Sequence, residues 1–173
     1  MRISKLVSDV KTYSHMDRDT AADLLDVRTG LNSTLNMLGH ELRPKNIQIV
    51  RDFPAELPQI RGQVSSLNQV WTNLIDNAID ALPAKGGEIT LRIRVESGFL
   101  RVFVIDNGSG IPPAVLPHIF EPFYTTKQAG DGSGLGLDIA QRIIRQHDGR
   151  LEVSSAPGHT EFCAWLPVAA PLA

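Results

Sequence analysis

The sequence predicts an α+β two-layer sandwich, in which one mixed, mostly antiparallel sheet carries helices on one face. The chain has 173 residues, of which 42% are hydrophobic, and this is enough for a single well-packed core. Segments with helical periodicity alternate with paired segments in which apolar and polar residues alternate. Short turn signals join the two members of each pair, as in antiparallel hairpins.

Helical spacing of apolar residues marks four segments: 3–13, 27–42, 64–82 and 135–147. The first begins without a capping residue, so we expect it to be the end of a longer helix. Pro44 ends the second, because the residue before a proline is disfavoured in the helical region. The third ends at Pro83 and a Gly-Gly turn, and the fourth ends at Gly149.

Alternation typical of strands marks five segments: 47–53, 88–96, 99–105, 150–155 and 160–166. Turns that contain Gly98 and Gly158 join four of them into two hairpins. After the first hairpin, residues 106–133 are rich in glycine, proline and polar side chains. Within this stretch, only 115–120 has the pattern of a short helical turn. A loop of this length inside a compact domain is typically either a functional lid or disordered. We expect 169–173 to be a tail.

Composition narrows the class of function. The net charge is −2 and the 17 basic residues are not clustered, which argues against a nucleic-acid partner. The single cysteine, Cys163, cannot form an internal disulfide, as is typical of a reducing compartment. No apolar run approaches ~18 residues and no signal-peptide pattern is present, so we expect a cytoplasmic domain without direct membrane contact. A membrane anchor elsewhere in a longer protein is left open.

One face of the helix over 64–82 carries amides, carboxylates and a hydroxyl in place of the usual Lys, Glu and Arg. At 100° per residue, the residues of this face lie within about 60° of Asn73 around the helix: Ser66, Gln69, Asp76, Asn77 and Asp80. Such side chains compete with the backbone and weaken a helix interior. Their regular spacing favours a binding site, although an ordinary solvated face divides the helix in the same way.

Two glycine-rich segments are also candidates for a ligand-binding site. Asp106–Gly110 follows an apolar strand directly, although a tight turn alone favours the same residue types. Gly130–Gly136 opens into a helix, where free N–H groups and the helix dipole attract an anion. It lacks the Gly-Lys-Ser/Thr ending of a P-loop and the spacing of a dinucleotide fingerprint. A flexible linker is the alternative for this second segment.

Taken in order, four blocks resemble the N, G1, F and G2 boxes of a histidine-kinase ATP-binding domain: Asn73–Ala78, Asp106–Gly110, Phe120–Phe123 and Gly132–Leu137. The resemblance covers residues 20–168. It implies the Bergerat fold of the gyrase, Hsp90, histidine-kinase and MutL group, with ATP and Mg²⁺ as cofactors. It also implies the catalytic part of a protein-histidine kinase of two-component signalling.

The resemblance assigns roles to individual residues. It makes Asn73 and Asn77 catalytic, with Asn77 holding the Mg²⁺ that bridges the phosphates, and magnesium needs few protein oxygens. Asp106 would accept a hydrogen bond from the adenine amino group. The other residues implied at the nucleotide are Asp80, Gly108, Gly110, Ile111, Lys127, Gly132, Ser133, Gly134, Leu135, Gly136, Leu137 and Thr160. Near Thr160, His159 replaces a glycine of the family's last box.

Residues 1–19 resemble the end of the second helix of a dimerisation hairpin, with a linker to the ATP domain. The implied partners are the protein's own upstream hairpin, which carries the acceptor histidine, and the receiver domain of a response regulator. We expect the full-length protein to be a homodimer and this chain alone to be a monomer. His40 begins a segment similar to the acceptor box, but only 33 residues and a strand separate it from Asn73. We therefore interpret His40 as a helix-end residue and not as the acceptor.

An alternative function stays open on the same fold, namely a nucleotide-gated interaction module, or a pseudokinase or ATPase. Hydrolases of this fold place a glutamate, as the base that activates water, at the position of Asn73. An amide cannot act as a general base, so the kinase is favoured. Asp76 lies nearby, which leaves slow hydrolysis open.

Overall fold

The computed structural model describes residues 22–125 and 134–169. These residues form the following elements in chain order: β1 (Asp23–Leu25), α1 (Val27–Met37), α2 (Gly39–Leu42), β2 (Gln48–Asp52), β3 (Ile60–Gly62), α3 (Val64–Ala81), β4 (Glu88–Glu96), β5 (Phe99–Asp106), α4 (Gly136–Gln146), β6 (Arg150–Ala156) and β7 (His159–Pro167). A short 3₁₀ turn, Leu116–His118, lies in the loop between β5 and α4.

Five strands form the main sheet in the order β2-β4-β5-β7-β6. β2 pairs with β4 in parallel, and the other three pairs are antiparallel. Helices α1, α3 and α4 pack on one face of this sheet, so the predicted two-layer architecture is confirmed. The predicted hairpins are β4–β5 and β6–β7.

The core lies between the main sheet and the three helices. Trp71 on α3 is the largest fully buried side chain, and Leu91 on β4 and Ile139 on α4 are completely inaccessible. Full burial of an apolar side chain of this size contributes about 1.5–3 kcal/mol. α3 therefore directs its apolar residues into the core, which leaves its amide-rich face on the side from which a ligand can approach.

The opposite face of the sheet carries a separate cluster of buried side chains. Arg101 and Arg150 flank Trp165 in register, with their guanidinium carbons 4.1 and 4.0 Å from the ring centroid. Phe103 and Cys163 are buried beside them. Burial raises the pKa of the Cys163 thiol, an effect that the neighbouring Arg101 partly offsets.

The structure differs from the predictions made from the sequence in two places. The predicted helix over 27–42 is two helices, because the chain leaves helical geometry at Leu38, where φ is −86° and ψ is 2°. A second, two-stranded sheet of β1 and β3 was not predicted, since strands of three residues are too short to show alternation. An isolated bridge between Ile60 and Val168 ties this small sheet to the main one.

The ends of the chain are described only in part. The predicted helix over 3–13 and the hairpin segment 1–19 lie outside the described residues. Of the predicted tail, Ala169 donates its N–H to the carbonyl of Gln59 at 2.9 Å. Within 22–125 and 134–169, no helix is both long and apolar enough to span a bilayer.

Candidate functional site

Asp106 is the last residue of β5, and only 2% of it is exposed. The N–H of Gly108 donates to its Oδ1 at 2.9 Å, which fixes the carboxylate in the turn after the strand. Oδ2 accepts no hydrogen bond from the described part of the chain. Burial raises the pKa of Asp106, an effect that the Gly108 N–H and the neighbouring His159 partly offset. Oδ2 is not fully enclosed by the described residues, so a hydrogen-bond donor on a ligand can reach it.

Thr160 lies opposite Asp106 on the neighbouring strand β7 and is equally buried. Its Oγ1 shares a hydrogen bond of 2.7 Å with Oγ of Ser155 on β6. The N–H of Ile111 donates to the same Ser155 oxygen at 2.8 Å. Ser155 thus joins two predicted residues, but sequence reasoning missed it. A serine in an alternating strand has no distinguishing signal other than its place opposite Thr160 in the hairpin.

Gly108 and Gly110 allow the loop after β5 to pack against the protein's own backbone. A Cβ at Gly108 would overlap the carbonyl oxygen of Ala81, at the end of α3. Gly110 has a φ of +84°, and its Cβ would lie 2.6 Å from the carbonyl oxygen of Ala156, at the end of β6. These glycines therefore hold the carboxylate turn between α3 and the β6–β7 turn.

Asn73 links the two helices that flank the site. Its side chain is on α3 and is 95% buried, since 5% is exposed. Its Nδ2 donates to the carbonyl oxygen of Gly136, the first residue of α4, at 2.9 Å. Its Oδ1 accepts from Nε2 of Gln69 at 2.8 Å. Both polar atoms of Asn73 are therefore engaged inside the protein.

Asn77 follows Asn73 by one helical turn and lies on the same face of α3. It is half-buried, and its side-chain amide makes no hydrogen bond to any residue that the structure describes. Its oxygen is consequently available to a cation, as predicted for a magnesium ligand. Asp80 is exposed on the same face, three residues further along the helix.

The junction before α4 brings the glycine-rich segment against the loop. Gly134 has a φ of +72°, and its carbonyl accepts the N–H of Phe123 at 2.8 Å. Leu135 is buried and Leu137 is half-buried, so both anchor the start of α4 in the core. The N-cap residue of α4 makes no side-chain cap. The first-turn N–H groups thus receive no side-chain cap from Leu135, which suits this helix end to an anion.

Lys127, Gly132 and Ser133 are outside the described residues. His40 lies on α2, and its Nδ1 is 2.9 Å from the carbonyl oxygen of Met37. It belongs to the same domain as Asn73, which agrees with its interpretation as a helix-end residue.

Residues 62–170 match the sequence profile of the family described as histidine kinase-, DNA gyrase B- and HSP90-like ATPases. The chain belongs to this family. It is 36% identical to the two-component sensor PprA of Pseudomonas aeruginosa, over 99% of this chain and 19% of PprA. It is 39% identical to the sensory histidine kinase/phosphatase NtrB of Salmonella typhimurium, over 72% of this chain and 38% of NtrB. The chain thus spans less than two fifths of the length of either relative.

Solved structures confirm the fold. Full-length ShkA in complex with AMPPNP superposes with a TM-score of 0.82 at 28% identity, covering 98% of this chain and 36% of ShkA. The nucleotide-free catalytic domain of histidine kinase ThkA gives 0.78 at 26% identity, covering 86% and 97%. The resemblance inferred from the four boxes is confirmed at the level of family and fold. The roles of individual site residues stay predictions.

Proposed function

We propose that this chain is the ATP-binding, catalytic part of a protein-histidine kinase of two-component signalling. It binds Mg-ATP and donates the γ-phosphoryl group to a histidine on an upstream dimerisation hairpin. The observation that carries this proposal is the Asp106 carboxylate, which is 2% exposed and has one oxygen without a protein donor among the described residues. The amino group of adenine is a donor of the right kind for that oxygen.

The residues at the other end of the site fit a magnesium-bound triphosphate. Asn77 offers one amide oxygen, and Mg²⁺ bound by a single protein oxygen keeps its remaining positions for water and phosphate. The first-turn N–H groups of α4 offer hydrogen bonds to phosphate oxygens. Bound there, Mg²⁺ would supply neutralisation of phosphate charge.

Phosphoryl transfer needs positioning more than covalent chemistry from this domain. The acceptor imidazole attacks the γ-phosphorus, a nitrogen–phosphorus bond forms, and the bond to the bridging oxygen breaks. ADP leaves with that electron pair. Since Asn73 is an amide whose polar atoms bind Gln69 and Gly136, it takes no proton from water. This favours transfer to a partner over hydrolysis.

The partners proposed are the hairpin of the protein's own longer chain, which would make the whole protein a homodimer, and a response-regulator receiver domain. The names of PprA, a two-component sensor, and NtrB, a sensory histidine kinase/phosphatase, support this proposal. The described ranges hold no group of three or more His, Cys, Asp or Glu side chains that could bind a metal ion.

Calorimetry with ATP, ADP and GTP tests the proposal. We expect ATP and ADP to bind at least about tenfold more tightly than GTP, because guanine presents a carbonyl where adenine presents an amino group. Two acceptors would then face each other at Asp106, and an unpaired buried polar group costs about 1–3 kcal/mol. Equal affinity for ATP and GTP would contradict the adenine assignment.

A further inference from the structure

We propose that Gln69 is a positioning residue that orients the Asn73 amide and thereby fixes the start of α4 against α3. Its consequence for ligands rests on the proposed nucleotide function, whereas the contact itself does not. Gln69 is half-buried on α3, and its Nε2 donates to Oδ1 of Asn73 at 2.8 Å. The Asn73 Nδ2 in turn donates to the carbonyl oxygen of Gly136 at 2.9 Å.

Hydrogen-bonding chemistry allows this pair of amides one orientation. The Gly136 carbonyl is an acceptor only, so the atom of Asn73 that faces it must be the NH₂ group. The Asn73 oxygen then faces Gln69, which must present its own NH₂ group. Reversing either amide alone places two oxygens or two donors in contact. The orientation of Gln69 thus decides whether Asn73 holds α4.

The hydrogen bond from Asn73 to Gly136 fixes the position of α4 along α3, which apolar packing alone leaves free. α3 and α4 pack side by side through core residues such as Leu74 and Ile139. Apolar attraction has no direction, so it resists separation of the helices better than sliding along their axes. A hydrogen bond from a side chain that is 5% exposed to the first carbonyl of α4 fixes that sliding coordinate.

The relative position of α3 and α4 along their axes determines the geometry of the phosphate end of the proposed site. Asn77, the proposed magnesium ligand, lies one turn beyond Asn73 on α3. The N–H groups proposed to meet the phosphates belong to the first turn of α4. The two groups must face the same phosphates, so an error in the relative position of the helices weakens both. Asp106, at the adenine end, lies on β5 and is independent of the contact.

The variant Gln69→Glu tests this inference with little change of shape. At pH 8 the charged carboxylate would face the Asn73 oxygen, which repels it and turns the amide, so the bond to Gly136 is lost. We expect Mg-ATP affinity to fall about tenfold, the effect of losing one buried hydrogen bond. Adenosine affinity should not change, because adenosine lacks the phosphates.

Acidification supplies a rescue that a purely structural defect would not show. Once protonated, the carboxyl introduced by Gln69→Glu has an O–H donor that replaces the N–H of the parent amide. As the pH falls through the pKa of this carboxyl, the affinity ratio of Gln69→Glu to the parent should return toward one. Gln69→Leu should show the same loss at every pH. Gln59→Glu, an exposed site outside α3, controls for the added charge and should match the parent.

Nuclear magnetic resonance of the nucleotide-free chain separates this inference from the proposed function. The Asn73 side-chain amide should exchange slowly in the parent and fast in Gln69→Glu at pH 8. Fast exchange in the parent would overturn the inference even if the variant failed to fold, as would an unchanged ATP affinity in Gln69→Glu at pH 8. A protected Asn73 amide in a parent chain that binds no nucleotide would refute the proposed function and leave the contact between the helices intact.

Discussion

Burial removes the Asp106 carboxylate from water and raises its pKa, so its charged form costs the fold free energy at neutral pH. A folded-state pKa above the ordinary 3.8 means that the native state binds this proton more readily than the unfolded chain does. Stability from this group is therefore present at low pH and is lost as the pH rises through the raised pKa. A buried charge that destabilises the fold is expected at a position where the carboxylate binds a ligand.

The variant Asp106→Asn separates the contribution of Asp106 to ATP binding from the cost of burying its charge. The amide oxygen still accepts from Gly108, but its NH₂ group would face the adenine amino group, so ATP affinity should fall at least about tenfold. Thermal unfolding at pH 7.5 should show an equal or higher midpoint for the variant, since the buried charge is gone. This advantage should shrink as the pH falls through the raised pKa of Asp106. A destabilised variant with normal ATP affinity would contradict both expectations.

Asn77→Ala tests the metal role. The side chain is half-buried on the polar face of α3 and makes no hydrogen bond within the described residues, so the fold should be retained. Titration of ATP with and without Mg²⁺ should show that the parent gains affinity from the metal and that the variant does not. The loss with Mg²⁺ should be about tenfold or more. If the variant matches the parent with Mg²⁺ present, Asn77 is not the ligand.

Single residues show how far sequence reasoning reached. Asp106 and Asn77 could be proposed as site residues because each belongs to a sequence motif of the family. The engagement of Asn73 with Gly136 could not, since it joins residues 63 positions apart and depends on how two helices pack. The same holds for Ser155, whose role arises only from register with Thr160.

At the scale of elements, the backbone has different requirements at two glycines of the segment Gly132–Leu137. Gly134 has a φ of +72°, and a Cβ there would overlap the carbonyl carbon of Phe123. Gly136 lies in α4, and its Cβ would be in ordinary contact, 3.7 Å from Cγ of Asn73. The motif treats these glycines alike, although only the first is required by the backbone that the structure describes.

Gly134→Ala and Gly136→Ala form a matched pair for this difference. The first should destabilise the domain by more than about 1–2 kcal/mol, because it combines a left-handed backbone with a clash. The second should be neutral or stabilising by up to about 1 kcal/mol, because alanine favours the helix. Denaturant unfolding of both variants measures the difference. Equal losses would show that the space around Gly136 is as restricted as that around Gly134.

Long elements could be predicted and short ones could not. α3 and the β4–β5 hairpin match their predicted bounds within one residue, because each spans several periods of its pattern. β1 and β3 have three residues each and exist through their pairing with each other. Their stability is a property of the tertiary structure, which no local pattern reports.

At the scale of the whole molecule, the proposed function assigns a nucleotide site to the domain and requires the acceptor histidine to come from outside the domain. His40 is the residue that imitates an acceptor most closely. Its side chain is exposed, but Nδ1 faces the carbonyl oxygen of Met37, the last residue of α1. In-line transfer needs the imidazole within about 3–3.5 Å of the γ-phosphorus, a geometry that docking of a separate segment provides.

Labelling with γ-labelled ATP therefore distinguishes a kinase from a binding module. The isolated chain should incorporate no label at His40. A longer protein that includes the upstream hairpin should gain acid-labile label on the hairpin histidine, as a phosphoramidate, and replacement of that histidine by glutamine should abolish it. Acid-labile label on His40 would overturn its interpretation as a helix-end residue. No transfer in the longer protein, with ATP bound normally, would favour the pseudokinase or nucleotide-gated module, because binding would then occur without the chemistry.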